Sequence, residues 1–170
     1  MEWEVRLVVR YLSFTGRITM INDFEMGTTN SNDGCYKFVT VRNDTGVVVN
    51  FIVGPDTYFV NHYMMQIGDV IIGFYDGDVP VPLIYPPQYR AVVIAESLMN
   101  TVKVDYFNEQ LVSSDGQLKL NIATSTTMLL ENGQQFTGHL MNRYLIVSYR
   151  SSTKSIPAQT TPSQIVVLCT

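Results

Sequence analysis

Histidine and cysteine, two residue types that often carry catalysis or bind metals, are rare in this chain. Its two histidines are His62 and His139, and neither has a cysteine or another histidine at a spacing that suits zinc. The Asp-Gly-Asp stretch at 76–78 begins like a calcium-binding loop, but its twelfth position is Pro87, where an EF-hand requires glutamate. The GxSxG, HExxH and Gly-rich phosphate-loop motifs are missing from the sequence as well. The sequence therefore predicts a protein that is not an enzyme and that holds no metal or cofactor.

Tyrosine and proline are concentrated in the stretch 73–95, which reads GFYDGDVPVPLIYPPQYRAVVIA. Proline cannot donate to a strand ladder and keeps the preceding residue extended, so the segment 76–89 is predicted to be an extended loop between two strands. Tyrosine offers a large contact area for little lost entropy. Two interpretations are open, a plain strand connection and a binding surface. The binding interpretation depends on four side chains: Tyr75, Tyr85, Tyr89 and Arg90.

Positive charge in the second half of the chain provides another candidate surface. Its members are Arg143, Arg150 and Lys154, which the strand pattern places near one loop. Single-stranded nucleic acid requires a positive groove for its phosphates and aromatic rings for its bases. The overall charge argues against it, because residues 1–97 carry 6 Lys and Arg against 11 Asp and Glu, while residues 98–170 carry 5 against 4. The expected partner is therefore a protein, and single-stranded nucleic acid is the alternative.

The composition is that of a folded, strand-rich chain. Hydrophobic residues make up 46% of the 170 residues and charged residues 15%, below the ~25% of an average soluble domain. A chain of this length buries a substantial core. The low charge also favours self-association, so the expected protein partner includes a second copy of the chain in a homodimer.

Location and thiol chemistry follow from a few residues. The first residues are acidic where a signal peptide is basic, and no apolar run reaches the ~20 residues of a membrane span. The sequence thus predicts a cytoplasmic protein without a membrane segment. Two cysteines, Cys35 and Cys169, are too few for a disulfide scaffold. We expect both to be reduced and buried, with a single bridge between them as the alternative.

Short apolar or alternating runs separated by turn residues predict strands nearly throughout the chain. The turn NDTG joins predicted strands at 35–43 and 46–53 as a hairpin. The two halves also resemble each other, since 73–95 aligns with 147–169 and Tyr75 then corresponds to Tyr149. This order predicts an internal repeat, with chance likeness between strand-rich segments as the alternative.

Each half holds about five strands, in an order that resembles the small Greek-key barrel of the OB type. The resemblance implies an all-β fold of two related five-stranded barrels in tandem, at 1–97 and 98–170, with a link at 96–100. A β-sandwich is the alternative. The strand predicted at 3–11 precedes the first barrel, where it caps that barrel, bridges the two or pairs with another chain.

These observations lead to three ordered hypotheses for function. The first is a non-catalytic binding or structural module that engages a protein partner through loop 76–89 and its counterpart at 150–163. The second is a single-stranded nucleic-acid-binding protein. The third is an unrecognised small enzyme, which requires a polar pocket that holds a group with a perturbed pKa.

Overall fold

Strands account for nearly all regular structure in the part of the chain that the structure describes. The computed structural model describes residues 8–25, 34–98 and 100–169, and these residues include no α-helix. One short 3-10 turn, Val60–His62, is the exception to the strand pattern in the described part. The all-β prediction is therefore confirmed.

The described residues form two compact units. The first unit is Tyr11–Leu98, and the second contains residues 100–169 together with residues 8–10. The backbone N–H of Val9 donates to the hydroxyl of Tyr144 at 2.7 Å, which ties residues 8–10 to the second unit. Most of the strand predicted at 3–11 lies outside the described residues.

The first unit is built around one long strand. Its seven strands are β1 (Tyr11–Asp23), β2 (Lys37–Arg42), β3 (Val48–Val53), β4 (Tyr58–Phe59), β5 (Val70–Asp76), β6 (Gln88–Arg90) and β7 (Val93–Glu96). They form one sheet in the order β4-β7-β5-β1-β2-β3-β6. Strand β1 pairs antiparallel with both β2 and β5. The last two strands are consecutive in sequence yet have different neighbours, because β6 pairs parallel with β3 whereas β7 pairs antiparallel with β5 and parallel with β4.

The second unit contains six strands in two separate sheets. They are β8 (Thr101–Phe107), β9 (Leu118–Leu120), β10 (Thr127–Leu130), β11 (Arg143–Tyr149), β12 (Ala158–Thr160) and β13 (Gln164–Leu168). Four form a sheet in the order β10-β13-β11-β8, and β12 pairs with β9 alone. The pairs β10–β13 and β9–β12 are parallel.

Parallel returns of the chain replace the predicted barrels. Paired residues in these ladders lie far apart in sequence, 35 positions for Tyr58 and Val93 and 40 for Leu118 and Ala158. The strands are accordingly assigned as stacked coils of a β-solenoid. The prediction of two OB-like five-stranded barrels in tandem is wrong, and the same assignment replaces the β-sandwich alternative. The prediction relied on hairpin turns, which have local signals, whereas a parallel pairing requires a long crossover that leaves none.

Each unit has its own apolar core. In the first unit Phe51 is fully buried among valine and isoleucine side chains of β1, β2 and β5. Its ring lies directly on Gly73, where an added Cβ would approach the ring to 2.5 Å. In the second unit Phe107, Leu145 and Ile165 are fully buried in one cluster. Full burial of such a side chain stabilises the fold by about 1.5–3 kcal/mol.

A threonine secures the parallel return in each unit. The Thr57 hydroxyl accepts the Gly54 N–H at 3.0 Å and donates to the Ala91 carbonyl at 2.8 Å. The Thr126 hydroxyl accepts the Ala123 N–H at 3.3 Å and donates to the Pro162 carbonyl at 2.8 Å. Each hydroxyl therefore joins a tight turn to the segment that enters the last strand.

We expect Thr126→Val to lower the free energy of unfolding by about 1–3 kcal/mol, because it leaves a buried carbonyl and an N–H without their partner. Urea unfolding followed by circular dichroism measures this. Thr127→Val is the matched control, since Thr127 is exposed and valine suits a strand. Equal stability of the two variants would contradict the bracing role of Thr126.

Candidate functional site

A pocket of about 530 Å³ opens in the first unit, within the size range of small-ligand sites. Its lining includes residues from the end of β5, from strand β6 and the residues after it, from loop 79–82 and from the turn 54–57. Its aromatic lining residues are Phe24, Tyr36, Tyr75 and Tyr89. The pocket is thus mainly apolar, with a small number of polar groups.

Two tyrosines of the lining are stacked on each other. The rings of Tyr75 and Tyr89 lie 3.9 Å apart between centroids and are nearly parallel, at 6°. Tyr75 is also tilted against the buried ring of Phe51, with centroids 6.3 Å apart. The parallel pairing of β6 with β3 sets Tyr89 opposite Phe51, which brings it to the tyrosine at the end of β5. The stack therefore depends on the return of the chain after the proline loop.

Gly54 leaves room for Tyr36, a third tyrosine of the pocket lining. A Cβ at this position would lie 2.8 Å from the ring of Tyr36 and 2.9 Å from a carboxylate oxygen of Asp56. Contacts this short do not occur, so any other residue here would displace one of these side chains. The turn itself is fixed by the Thr57 hydroxyl.

Charged groups of both signs lie at the pocket. Asp76 accepts the backbone N–H of Asp78 at 2.9 Å, which holds its carboxylate at the start of the loop. Asp56 and Arg90 are exposed and have no ion pair within the described part of the chain. These two groups are available to a bound molecule.

The residues predicted from the sequence for this region are only partly brought together. Tyr75, Tyr89 and Arg90 line the pocket, whereas Tyr85 is 78% exposed on the loop and does not. Leu83 beside it is fully exposed. Sequence reasoning missed Tyr36 and the turn 54–57 as pocket residues, although the turn-forming GPDT string was a signal for the turn itself.

A second, smaller cup of about 400 Å³ lies in the second unit. Arg150 is the one charged residue of its lining, and the remaining side chains are polar or carry hydroxyl groups: Ser151, Ser152, Thr153, Gln159, Thr160, Thr161 and Ser163. Lys154 is exposed and is not part of this lining. Of the three cations that the sequence grouped, Arg150 alone lines this cup.

Arg143 has a structural environment of its own. Its Nε donates to the His139 carbonyl at 2.7 Å, and its guanidinium lies 5.1 Å from the centroid of the Phe136 ring. Such a cation–π contact, together with a hydrogen bond, orients the side chain locally. Arg143 does not line the cup that contains Arg150.

The most strongly shifted pKa of the described groups belongs to Tyr63. Burial, a hydrogen bond to the Asp69 carboxylate and the charges of Asp69 and Glu96 all raise the pKa of its hydroxyl. Asp69 also accepts the N–H of Gln66 at 3.0 Å. Neither Tyr63 nor Asp69 lines either cavity. The pair is best explained as a link between the turn before β5 and the rest of the first unit.

Other candidate chemistry is sparse in the described residues. No three His, Cys, Asp or Glu side chains among residues 8–25, 34–98 and 100–169 are grouped to hold a metal ion. His62 and His139 line neither cavity. Cys35 and Cys169 are both exposed, and no disulfide joins them. The expectation that both thiols are buried is therefore wrong, because each cysteine lies just outside a strand.

Within the same described residues, no helix has the length and apolar character needed to cross a membrane.

Comparison with known proteins gives no family for this chain. No protein-family model, curated protein or solved structure matches it.

An ion pair engages another cation of the second unit. Lys103 Nζ donates to Asp115 Oδ2 at 2.6 Å, and the Ser113 hydroxyl donates to Oδ1 at 2.6 Å. Partial burial tends to raise the pKa of Asp115, but these hydrogen bonds, the N–H of Gln117 and the charge of Lys103 outweigh it and lower the pKa below its usual 3.8. Lys103 is therefore engaged in an ion pair with Asp115.

We expect this pair to add to stability above about pH 4 and to lose its contribution as the pH falls further. The unfolded carboxyl protonates near 3.8 while the folded one holds its charge to lower pH, so acid removes the difference. Asp115→Asn should reduce the free energy of unfolding by less than about 1 kcal/mol at pH 6, since the pair is partly exposed. Urea titrations across pH 3–6 should show that the difference in free energy of unfolding between Asp115→Asn and the native protein shrinks as the pH falls. Asp44→Asn, an exposed carboxylate without a partner, is the control, and a gap independent of pH would contradict the account.

Proposed function

We propose that the protein is a non-catalytic binding module that engages a partner protein through the first-unit pocket and the loop 76–89. The stacked pair of Tyr75 and Tyr89 in a pocket of about 530 Å³ is the observation that carries this proposal. Rigid aromatic side chains in a partly desolvated pocket are the usual anchors of protein recognition. Proline residues 80 and 82 stiffen the adjoining wall, which reduces the entropy lost on binding.

The chemistry of the pocket favours an extended segment of the partner. Its apolar and aromatic lining suits one apolar or aromatic side chain, and Asp56 suits a neighbouring basic side chain. Arg90 on the same pocket suits a carboxylate further along. An extended peptide presents alternate side chains to such a surface, so the three contacts fit one segment.

The proposed partner protein includes a second copy of this chain. Leu83, Ile84 and Tyr85 expose apolar surface at the loop tip, next to the pocket wall. Light scattering at increasing protein concentration distinguishes a homodimer from a monomer that awaits a different protein.

Single-stranded nucleic acid remains the second candidate function. The specific observation in its favour is Arg150, which is exposed and has no ion pair in the described residues. Against it, Arg143 is held by His139 and Phe136, and Lys103 is paired with Asp115. A small enzyme is a weaker proposal, because the group with the strongest pKa shift, Tyr63, lies outside both cavities.

We also infer that the two units are copies of one repeat. Matched hydrogen bonds support this, since Thr57 and Thr126 brace equivalent turns, and the N–H groups of Gly46 and Gly116 donate to the carbonyls of Asn43 and Ser113 in corresponding hairpin turns. A cytoplasmic location stays part of the proposal, and the exposed cysteines without a disulfide are compatible with a reducing compartment.

Selection from a random-peptide display library tests the proposal directly. Peptides selected on the full chain should share an apolar or aromatic residue next to a basic one, and Tyr89→Ala should weaken their binding at least about ten-fold by removing half of the stack. Tyr89→Phe is the matched control, because it keeps the ring and removes only the hydroxyl. Isothermal titration calorimetry measures the affinities.

Two further results separate loss of binding from loss of fold. Urea unfolding of Tyr89→Ala shows whether the variant is folded at the assay temperature. If it is not, Asp56→Asn replaces it, since Asp56 is exposed and its change should weaken the basic contact alone. The proposal fails if no peptide family is selected, or if selected peptides bind Tyr89→Ala and Asp56→Asn as well as the native protein.

A further inference from the structure

The cup of the second unit occupies the same position in its strand pattern as the pocket in the first unit. Strand β5 ends with Tyr75 and Asp76, and β11 ends with Tyr149 followed by Arg150. The strand after each loop pairs parallel with an earlier strand, β6 with β3 and β12 with β9. Both cavities are lined by the residue after the tyrosine and by the residues of the returning strand.

The two positions have opposite chemistry. Where the pocket has the carboxylate of Asp76 and a stack of aromatic rings, the cup has the guanidinium of Arg150 and a wall of serine and threonine. No carboxylate lines the cup. A single positive charge among hydroxyl donors is an arrangement that suits an oxygen-rich anion.

Hydrogen bonds already hold the wall of the cup in place. The Thr160 hydroxyl donates to the Ser151 carbonyl at 2.6 Å, and the Thr153 hydroxyl accepts the N–H of Gln159 at 2.9 Å. These bonds join the two sides of the loop across the cup. The hydroxyl groups of Ser152 and Thr161 have no partner among the described residues, so both are available to a ligand.

We propose that this cup, formed by Arg150 and the hydroxyl side chains of 151–153 and 159–163, binds a phosphate-type oxyanion. Arg150 provides a planar fork for two oxygens of the anion, and the free hydroxyls donate to the others. The cup is open and holds a single cation, so the affinity falls in the millimolar range for the free ion. The site belongs to the second unit and does not depend on the peptide-binding proposal for the first.

Nuclear magnetic resonance titration of the full chain tests this site. The probes are inorganic phosphate and O-phosphoserine, each added at constant ionic strength against sodium chloride. Both should produce saturable shifts at amides within 150–163, and chloride should not. Tighter binding of O-phosphoserine would assign the site to a phosphorylated side chain, and tighter binding of inorganic phosphate would assign it to a free ion.

Variants decide whether the cup is responsible. Arg150→Gln should weaken phosphate binding about ten-fold or more, because it removes a charge-assisted pair of hydrogen bonds. Lys154→Gln is the matched control, since it removes an exposed cation of the same loop outside the lining, and it should change the affinity by less than about two-fold.

Three outcomes would overturn the proposal. The first is the absence of saturable shifts at 150–163, and the second is equal binding by Arg150→Gln and the native chain. The third is salt-sensitive binding of a single-stranded oligonucleotide that Arg143→Gln, Arg150→Gln and Lys154→Gln weaken alike, which would indicate a charged stripe and not a cup. Each of these results leaves the peptide test of the first unit unaffected.

Discussion

The parallel return of the chain onto a strand laid down nearly 40 residues earlier is the constraint on which both cavities depend. In the first unit the Asn50 N–H donates to the Pro87 carbonyl at 2.9 Å and the Ala91 N–H donates to the Ile52 carbonyl at 3.0 Å. At the next residue the N–H of Val92 donates to the Phe74 carbonyl at 2.8 Å. The chain therefore changes its neighbour from β3 to β5 between Ala91 and Val92. This exchange sets the ring of Tyr89 against that of Tyr75. The second unit repeats it, because the Asn121 N–H donates to the Thr160 carbonyl and the Ser163 N–H to the Ser148 carbonyl.

The pairing of strands that are close in sequence could be predicted, and the pairing of strands that are far apart in sequence could not. The NDTG turn predicted the hairpin of β2 and β3, because Asn43 both closes the turn and accepts two of its N–H groups. The parallel pairings have no comparable local signal, so the predicted barrels are replaced by stacked coils. The same limit applies to the pocket. Tyr75 and Tyr89 stood out beside the prolines, whereas Tyr36 and Asp56, which are distant from each other in sequence, lie at the pocket where Gly54 leaves room for both side chains.

The uneven charge of the chain has a structural counterpart in the two cavities. The acidic excess of residues 1–97 includes Asp56 and Asp76 at an aromatic pocket, and the near-neutral second half places Arg150 at a hydroxyl-lined cup. Asp76 follows Tyr75 and Arg150 follows Tyr149, so similar strand patterns present a carboxylate in one cavity and a guanidinium in the other. The residues that brace the fold are different from those that line the cavities. Thr126, Tyr63 and Asp115 secure strands and turns away from the linings, whereas Tyr89, Asp56 and Arg150 face the cavities.

The central claim is that the pocket formed with strand β6 binds the partner. Mapping a bound peptide on the full chain by amide chemical shifts tests this claim most directly. The account predicts that a selected peptide shifts the amides of Tyr36, Gly54 and 88–92 and leaves those of 159–163 unchanged. Shifts confined to the second unit, or spread over the loop tip at 83–85 without the pocket residues, would contradict it.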